Sequence, residues 1–351
     1  MRNIVFWGCF GCLLGLYSCI DELPLNDNSA FDVLVVEANL SDLSEQQLVR
    51  LSRSKSDATA GFSYDEPIND AQVELVIDNT QTLHFQALAG GKYSLTDVFV
   101  AQSGHRYQLR FQLSNGREYE SSVELMPPPC PIQKVYQQFN EQSLPPQQIK
   151  GFLAANDFYM DYDDSAAVEN YYSWDWTLWE RQYYCYAGPY FDLACNRECW
   201  EIIHNTTINI SNDKYSNGNK VIGRRVAQIP YYQKLPCLVE IRQESISKGR
   251  YNYLKLVAEQ TKNTGTLVDT PPAALIGNIR NIQNTNEPVI GYFAVSSISK
   301  TLYWLERTEN TGEPITLFRG LYGRSINLAR GESPCVESDI RTARKPIGWR
   351  L

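Results

Sequence analysis

His105-Arg106-Tyr107-Gln108-Leu109-Arg110-Phe111-Gln112-Leu113, then Ser114-Asn115-Gly116, then Arg117-Glu118-Tyr119-Glu120-Ser121-Ser122-Val123-Glu124-Leu125, reads as two strands joined by a tight turn. Tyr107, Leu109, Phe111 and Leu113 fall at every second position, the period that turns one face of a strand toward a core. Asn115-Gly116 tolerates the left-handed backbone that a short hairpin requires. Upstream, the same grammar repeats. Phe31–Ala38, Gln47–Arg53, Ala71–Ile77, Thr82–Ala87 and Gly91–Leu95 are short β-type runs, with turns at Asp78-Asn79 and Gly90-Gly91. Residues 31–126 therefore predict a β-sandwich of immunoglobulin-like or transthyretin-like kind.

Downstream, Met126-Pro127-Pro128-Pro129-Cys130-Pro131 marks a boundary, because this proline density cannot continue a sheet interior. Residues 127–131 are expected as a stiff linker and residues 132–351 as a larger, less regular β-rich domain. Strands are expected at Lys134–Asn140, Phe158–Tyr162, Tyr171–Tyr183, Lys220–Gln228, Leu238–Ser245, Tyr292–Ser297 and Thr301–Glu306. One helix fits Ser247–Thr264, where Tyr251, Leu254, Leu256, Val257 and Ala258 approximate one face and Gly265 follows as a stop. The fold class is mainly β with one or two helices.

The N-terminus carries a different message. Arg2 precedes an apolar run from Ile4 to Tyr17, which closes on Leu16-Tyr17-Ser18-Cys19. As a helix that run spans about 21 Å, short of the roughly 30 Å hydrocarbon core, so it reads as a signal segment and not a permanent span. Residues 1–18 are expected to be removed. Cys19 is expected to carry lipid into the outer membrane, with residues 19–30 as a tether. Diacylglycerol and an added acyl chain bury enough methylene to hold a folded body at a membrane, at about 0.8 kcal/mol per CH₂.

Bulk composition excludes several roles. Hydrophobic residues make up 43% and charged residues 21%, so the chain can bury a core. The formal charge is −8, and no Lys/Arg cluster exceeds the pairs Arg224-Arg225 and Arg344-Lys345, which argues against nucleic acid as a partner. Six cysteines remain after Cys9, Cys12 and Cys19: Cys130, Cys185, Cys195, Cys199, Cys237 and Cys335. In an oxidising compartment these predict up to three disulfides, with about 15 pairings that sequence leaves open. Cys185, Cys195, Cys199 and Cys237 resemble a zinc set only loosely, lacking a C-x₂-C pair, so no metal is expected.

Catalytic patterns are missing from the sequence. It has no G-x-S-x-G, no phosphate loop and no H-E-x-x-H, and His84, His105 and His204 stand apart. Asp157, Asp161, Asp163 and Asp164 crowd one segment without calcium-loop spacing, and read as a solvated turn. No cofactor and no enzymatic activity are expected. The segment Tyr171–Trp200 is the exception to a bland composition. It holds eleven aromatic residues, against 12% for the whole chain, interleaved with three cysteines. Trp174 and Trp176 share a strand face and Trp179 takes the other. The segment reads as a core strand with a disulfide-stapled loop, or as a binding surface in which Tyr186, Tyr190 and Phe191 are the candidates for contact with a glycan or other nutrient ligand, or with a protein partner.

Several motifs recur in a telling order. Leu34–Ala38 is followed by Val49–Ser54, Ile68–Val73, Gly91-Lys92-Tyr93, Gly104–Leu109, Met126-Pro127-Pro128 and Asp163–Tyr172. Gly277-Asn278-Ile279, Gly291-Tyr292-Phe293, Lys345-Pro346 and Trp349 complete the series. Together these resemble Bacteroidota outer-membrane lipoproteins classed as a domain of unknown function (DUF4249-like), often encoded beside TonB-dependent receptors. The resemblance covers nearly all of the mature chain. One departure is Asp164-Ser165, where the family has Pro after the aspartate. Asp21-Glu22, just after Cys19, resembles the acidic export signal of such lipoproteins and implies a cell-surface position. The family has no assigned reaction. The resemblance implies a lipid-anchored binding protein, accessory to a TonB-dependent receptor in nutrient uptake. The alternative is a structural or adhesive protein of the cell envelope.

Overall fold

The Asn115-Gly116 turn closes as its residues dictate. Gly116 takes φ +84°, Leu113 N–H donates to the Arg117 carbonyl at 2.9 Å, and Asn115 Oδ1 accepts from Arg117 N–H at 3.0 Å. The structure is a computed structural model that describes residues 32–57, 62–95, 98–145, 153–166, 168–186, 191–262, 275–315, 325–326 and 331–350. It is mainly β.

The first nine strands are β1 (Asp32–Ser41), β2 (Leu48–Asp57), β3 (Phe62–Pro67), β4 (Gln72–Ile77), β5 (Gln81–Ala87), β6 (Lys92–Leu95), β7 (Arg106–Gln112), β8 (Glu118–Ser121) and β9 (Glu124–Leu125). Next come β10 (Ile132–Leu144), β11 (Leu153–Asp163), β12 (Tyr171–Tyr186), β13 (Phe191–His204), β14 (Asn209–Asn212), β15 (Lys220–Pro230) and β16 (Cys237–Ser245). Helix α1 (Lys248–Gln260) precedes β17 (Ile279–Asn281), β18 (Val289–Leu305), β19 (Ser325–Ile326), β20 (Glu332–Ser333) and β21 (Arg341–Thr342). Within the described residues, no helix is long and apolar enough to cross a membrane.

The first unit is sandwich-like. β1, β2, β3 and β6 pair on one side, and β4, β7, β8 and β9 on the other, with β5 paired to both β4 and β6. Alternation places Leu34, Val36, Ala38 and Leu40 of β1 inside, against Leu75, Leu109, Phe111 and Tyr119. Each such large side chain stabilises the fold by about 1.5–3 kcal/mol on leaving water. Asp78 and Asn79 take φ of 51° and 57° in the three-residue connection from β4 to β5, where Thr80 N–H donates to the Ile77 carbonyl at 3.0 Å.

Residues from beyond the proline stretch complete this core. Ile279, Val289, Phe293 and Val295 lie within it, β17 pairs with β8, and β18 runs parallel to β1 from Val289 to Ser296. The two strands expected at Tyr292–Ser297 and Thr301–Glu306 are one strand, whose second half pairs antiparallel with β16 from Ser297 to Leu305. Its first half belongs to the first unit and its second half to the next. Met126–Pro131 carries no regular structure but is fastened at both ends: Ser297 Oγ donates to the Pro127 carbonyl at 2.6 Å, and Gln243 Nε2 to the Cys130 carbonyl at 2.9 Å.

In the second unit, β12 pairs with β13, β14 and β16, and a separate three-stranded sheet is ordered β10-β11-β15. Phe158, Met160, Trp174, Trp176, Leu178, Ile229, Val239 and Ile241 fill the space between them. Trp174 Nε1 donates to Gln243 Oε1 at 3.0 Å, so a fully buried indole keeps its hydrogen bond. The other face of β16 presents Leu238 to Trp200 and Trp349, with Trp179 and Trp304 beside them.

β12 extends past Tyr183 to Tyr186, and β13 pairs antiparallel with it, which satisfies the backbone of both. Of the six disulfide candidates, Cys185 pairs with Cys195 and Cys199 with Cys335, whereas Cys130 and Cys237 are buried free thiols in the core between the sheets. Burial pushes both thiols above their ordinary range, which keeps them protonated and unreactive. The expected helix forms with Ser247 as its N-cap, but none of its residues is buried.

Candidate functional site

The two sheets that share β18 part beside it, and a cleft of about 630 Å³ lies between their outward faces. Strand alternation supplies the lining. In β1 the core takes Val36, Ala38 and Leu40, so Glu37 and Asn39 face out. In β12 the core takes Trp174, Trp176 and Leu178, leaving Asp175 and Thr177 on the opposite face. Cross-strand register then builds two walls. On one, Tyr292 lies beside Glu37, Glu37 beside Arg50 and Arg50 beside Lys92. On the other, Asp175 lies opposite Arg242, Ser173 opposite Glu244 and Thr177 opposite His204. Helix α1 adds Arg250 and Tyr253.

Charges at one end of the cleft are neutralised internally. Arg242 donates two hydrogen bonds to Glu45, at 2.9 and 3.1 Å, and a third to Glu240 at 2.6 Å. Lys300 Nζ reaches Glu45 at 2.6 Å. Burial raises the Glu45 carboxyl, but the hydrogen bonds from Lys300 and Arg242 prevail and hold it below its ordinary range.

The other end is built differently. The Arg250 guanidinium lies 5.8 Å from the Tyr253 ring centroid and 5.7 Å from that of Tyr292, and these rings are 5.3 Å apart. Among the described residues, no hydrogen-bond acceptor and no carboxylate reaches that guanidinium within ion-pair distance. Burial pushes Arg250 down, and the charge of Glu244 opposes this from a distance. Glu244 accepts one long hydrogen bond, from Asn39 Nδ2 at 3.5 Å. Burial pushes its carboxyl up, Arg250 opposes the rise, and Asp175 adds to it.

Arg250 is held in place through the start of its helix. Ser247 Oγ accepts from Arg250 N–H at 3.2 Å and donates to Glu124 Oε2 at 2.7 Å. Glu124 Oε1 accepts from the Tyr292 hydroxyl at 3.0 Å, from Ser122 Oγ at 2.7 Å and from Asn278 Nδ2 at 3.0 Å. A buried carboxylate near the positive end of α1 thus ties the helix to the tyrosine beside its arginine. Glycine permits the close approach: a Cβ on Gly249 would collide with the Tyr292 hydroxyl, and one on Gly291 with the Val36 carbonyl.

The described cysteines and tryptophans expected as site residues do not line this cleft. Cys19, Asp21 and Glu22 lie outside the described residues, as does Tyr190; the side chains of Tyr186 and Phe191 are likewise outside them. Trp174, Trp176 and Trp200 are buried core. The aspartate cluster serves the fold: Asp157 accepts from Asn140 and Ser143, Asp161 from Gly223 N–H, and Asp164 from the Tyr172 hydroxyl and Gly218 N–H. The sulfurs of Cys185, Cys195 and Cys199 lie within 4.8 Å of one another, yet all three are in disulfides and offer no thiolate. His84 and His105 sit beside Glu74 and Asp78 on the sandwich. Only His204 reaches the cleft, where Nδ1 is 3.4 Å from Thr177 Oγ1 and Nε2 is 3.4 Å from the Asp339 carbonyl. Arg250, Glu244, Asp175, Tyr253 and Tyr292 were not singled out as a site from the sequence. The nearest signal was Gly291-Tyr292-Phe293, whose glycine and tyrosine prove to be cleft residues.

The model of a family described as Domain of unknown function (DUF4249) matches residues 20–301, and the chain belongs to this family. The matched span contains every cleft-lining residue from Val36 to Ile298. No curated protein and no solved structure matches the chain.

Proposed function

We propose that this chain is a lipid-anchored, non-enzymatic binding protein of a bacterial outer membrane, facing the cell exterior and serving as accessory to a TonB-dependent receptor. The observation that carries the proposal is the apolar segment ending in Leu16-Tyr17-Ser18-Cys19, with Asp21-Glu22 directly after it. In this proposal the cleft between the two units is the ligand site. Its volume falls in the range of small-molecule sites, and it is lined by converging polar groups beside two aromatic rings.

The test is fractionation followed by co-purification. Wild type should sediment with outer membranes, incorporate labelled fatty acid and be cut by protease added to intact cells. Cys19→Ala should appear in the aqueous fraction. A Cys19→Ala protein that stays membrane-bound removes the anchor. Detergent extracts in which the tagged protein recovers no TonB-dependent receptor remove the accessory role.

A further inference from the structure

We infer that the cleft takes a zwitterionic ligand of the amino-acid or short-peptide class, its carboxylate on Arg250 and its ammonium against Glu244 and Asp175. This rests on the cleft being the ligand site, and adds the class of molecule that occupies it.

The charge pattern selects that class. Arg250 carries a guanidinium with no hydrogen-bond partner among the described residues, although its fork geometry suits a carboxylate with two parallel hydrogen bonds. Glu244 is the opposite charge that acts on it most strongly, yet the two are not in ion-pair contact, and the glutamate keeps only the 3.5 Å bond from Asn39. Contrast the other end of the same cleft, where Glu45, Arg242, Glu240 and Lys300 satisfy one another. A phosphate or sulfate on Arg250 would be repelled by Glu244, Asp175 and Glu37. A simple cation would face Arg250. A neutral sugar would leave both half-buried charges without counter-charge, which is costly in a partly desolvated site. A ligand with an ammonium and a carboxylate supplies a partner to each group at once. The Tyr253 and Tyr292 rings flank the carboxylate position and offer a flat surface to a side chain or peptide plane.

The arrangement is also preorganised. Glu124 fixes Ser247 and Tyr292, and through them the first turn of α1, so Arg250 loses little freedom on binding.

The experiment is equilibrium dialysis of the detergent-solubilised full chain against a low-mass peptic digest of casein, read by mass spectrometry. Parallel arms use the same digest N-acetylated, the same digest methyl-esterified, and a neutral maltodextrin mixture. Free-terminus peptides should concentrate on the protein side, and both blocked digests should not. Arg250→Met should weaken retention about 10- to 100-fold and the isosteric Glu244→Gln about tenfold, at unchanged melting temperature. Arg250→Lys, which keeps the charge, should restore part of it. Equal retention of blocked and free digests, or no retention by wild type, overturns the zwitterion class. Maltodextrin held by wild type and lost in Arg250→Met overturns the class but keeps the cleft as the site. Peptides retained equally by wild type and both variants remove the cleft itself.

Discussion

Replacing Arg307 with methionine should destabilise the protein by about 3–5 kcal/mol, the usual cost of stranding one member of a buried ion pair. Both side chains are 0% exposed, and Arg307 Nη2 donates to Glu180 Oε1 at 2.6 Å. Gln233 Nε2 reaches Glu180 Oε2 at 2.5 Å, while Arg307 Nη1 donates to the carbonyls of Gln233 and Leu235 at 3.1 and 3.2 Å. The guanidinium therefore fastens residues 233–235 as well as neutralising β12. Methionine keeps most of the volume but removes every guanidinium donor. Burial already pushes the Glu180 carboxyl up, and Arg307 is the main influence holding it down. Without Arg307 the folded-state value rises further above the unfolded one. The variant's stability loss should then be largest at alkaline pH and should ease as acid protonates Glu180. The Glu180→Leu/Arg307→Met double variant removes both charges and should be more stable than Arg307→Met alone, though below wild type because the carbonyls of Gln233, Leu235 and Pro230 lose donors, at about 1–3 kcal/mol each. Urea melts of all three proteins at neutral and mildly acidic pH would measure this. A single variant within about 0.5 kcal/mol of wild type would refute the reasoning. So would a double variant less stable than Arg307→Met alone.

Glu201 titrates in an accessible range: burial pushes its carboxyl up to about 7, with Arg341 at 3.6 Å pulling the other way. The folded state then binds the proton more tightly, so this group's contribution is fully present below the ordinary value of 4.5 and is lost as pH rises toward 7. Relative to wild type, Glu201→Gln should gain up to about 3 kcal/mol between mildly acidic and alkaline pH, seen as a flatter plot of melting temperature against pH. Gly291→Ala should cost about 4 kcal/mol or more, since Gly291 has φ +115° and faces the Val36 carbonyl; a melting temperature near wild type would contradict this. Denatured, unreduced protein lacking residues 1–19 should show two reactive thiols, Cys130 and Cys237, and four more after reduction. Replacing the Cys199–Cys335 pair, 136 residues apart, should cost about 5 kcal/mol in urea melts, against about 3 kcal/mol for Cys185–Cys195, 10 apart.

Most strands were legible because period-two alternation and turn residues are local signals. β1, β2, β4, β5, β6 and β7 lie within a few residues of where alternation put them. β3 and β14 escaped notice because their polar residues, such as Tyr64-Asp65-Glu66 and Asn209-Ile210-Ser211-Asn212, show little alternation. β18 looked like two strands because Ser296-Ser297-Ile298-Ser299-Lys300 interrupts its apolar pattern as the strand leaves one core for the other. Of the aromatic residues in Tyr171–Trp200, Tyr171, Tyr172, Trp174, Trp176 and Trp200 are interior, which composition alone does not reveal.

By itself the sequence determined a mainly β chain, the place of its turns, a helix beginning after Ser247, and family membership. These rest on neighbours a few residues apart. Tertiary structure decided the rest. It chose two disulfides among the pairings open to six cysteines, because only sulfurs brought together can bond. It returned residues 279–296 to the first core, where the backbone edges of β1 and β8 required partners. It also made the cleft, whose Glu37, Asp175, Glu244, Arg250 and Tyr292 lie more than 250 residues apart at their extremes and meet only where one strand passes from sheet to sheet.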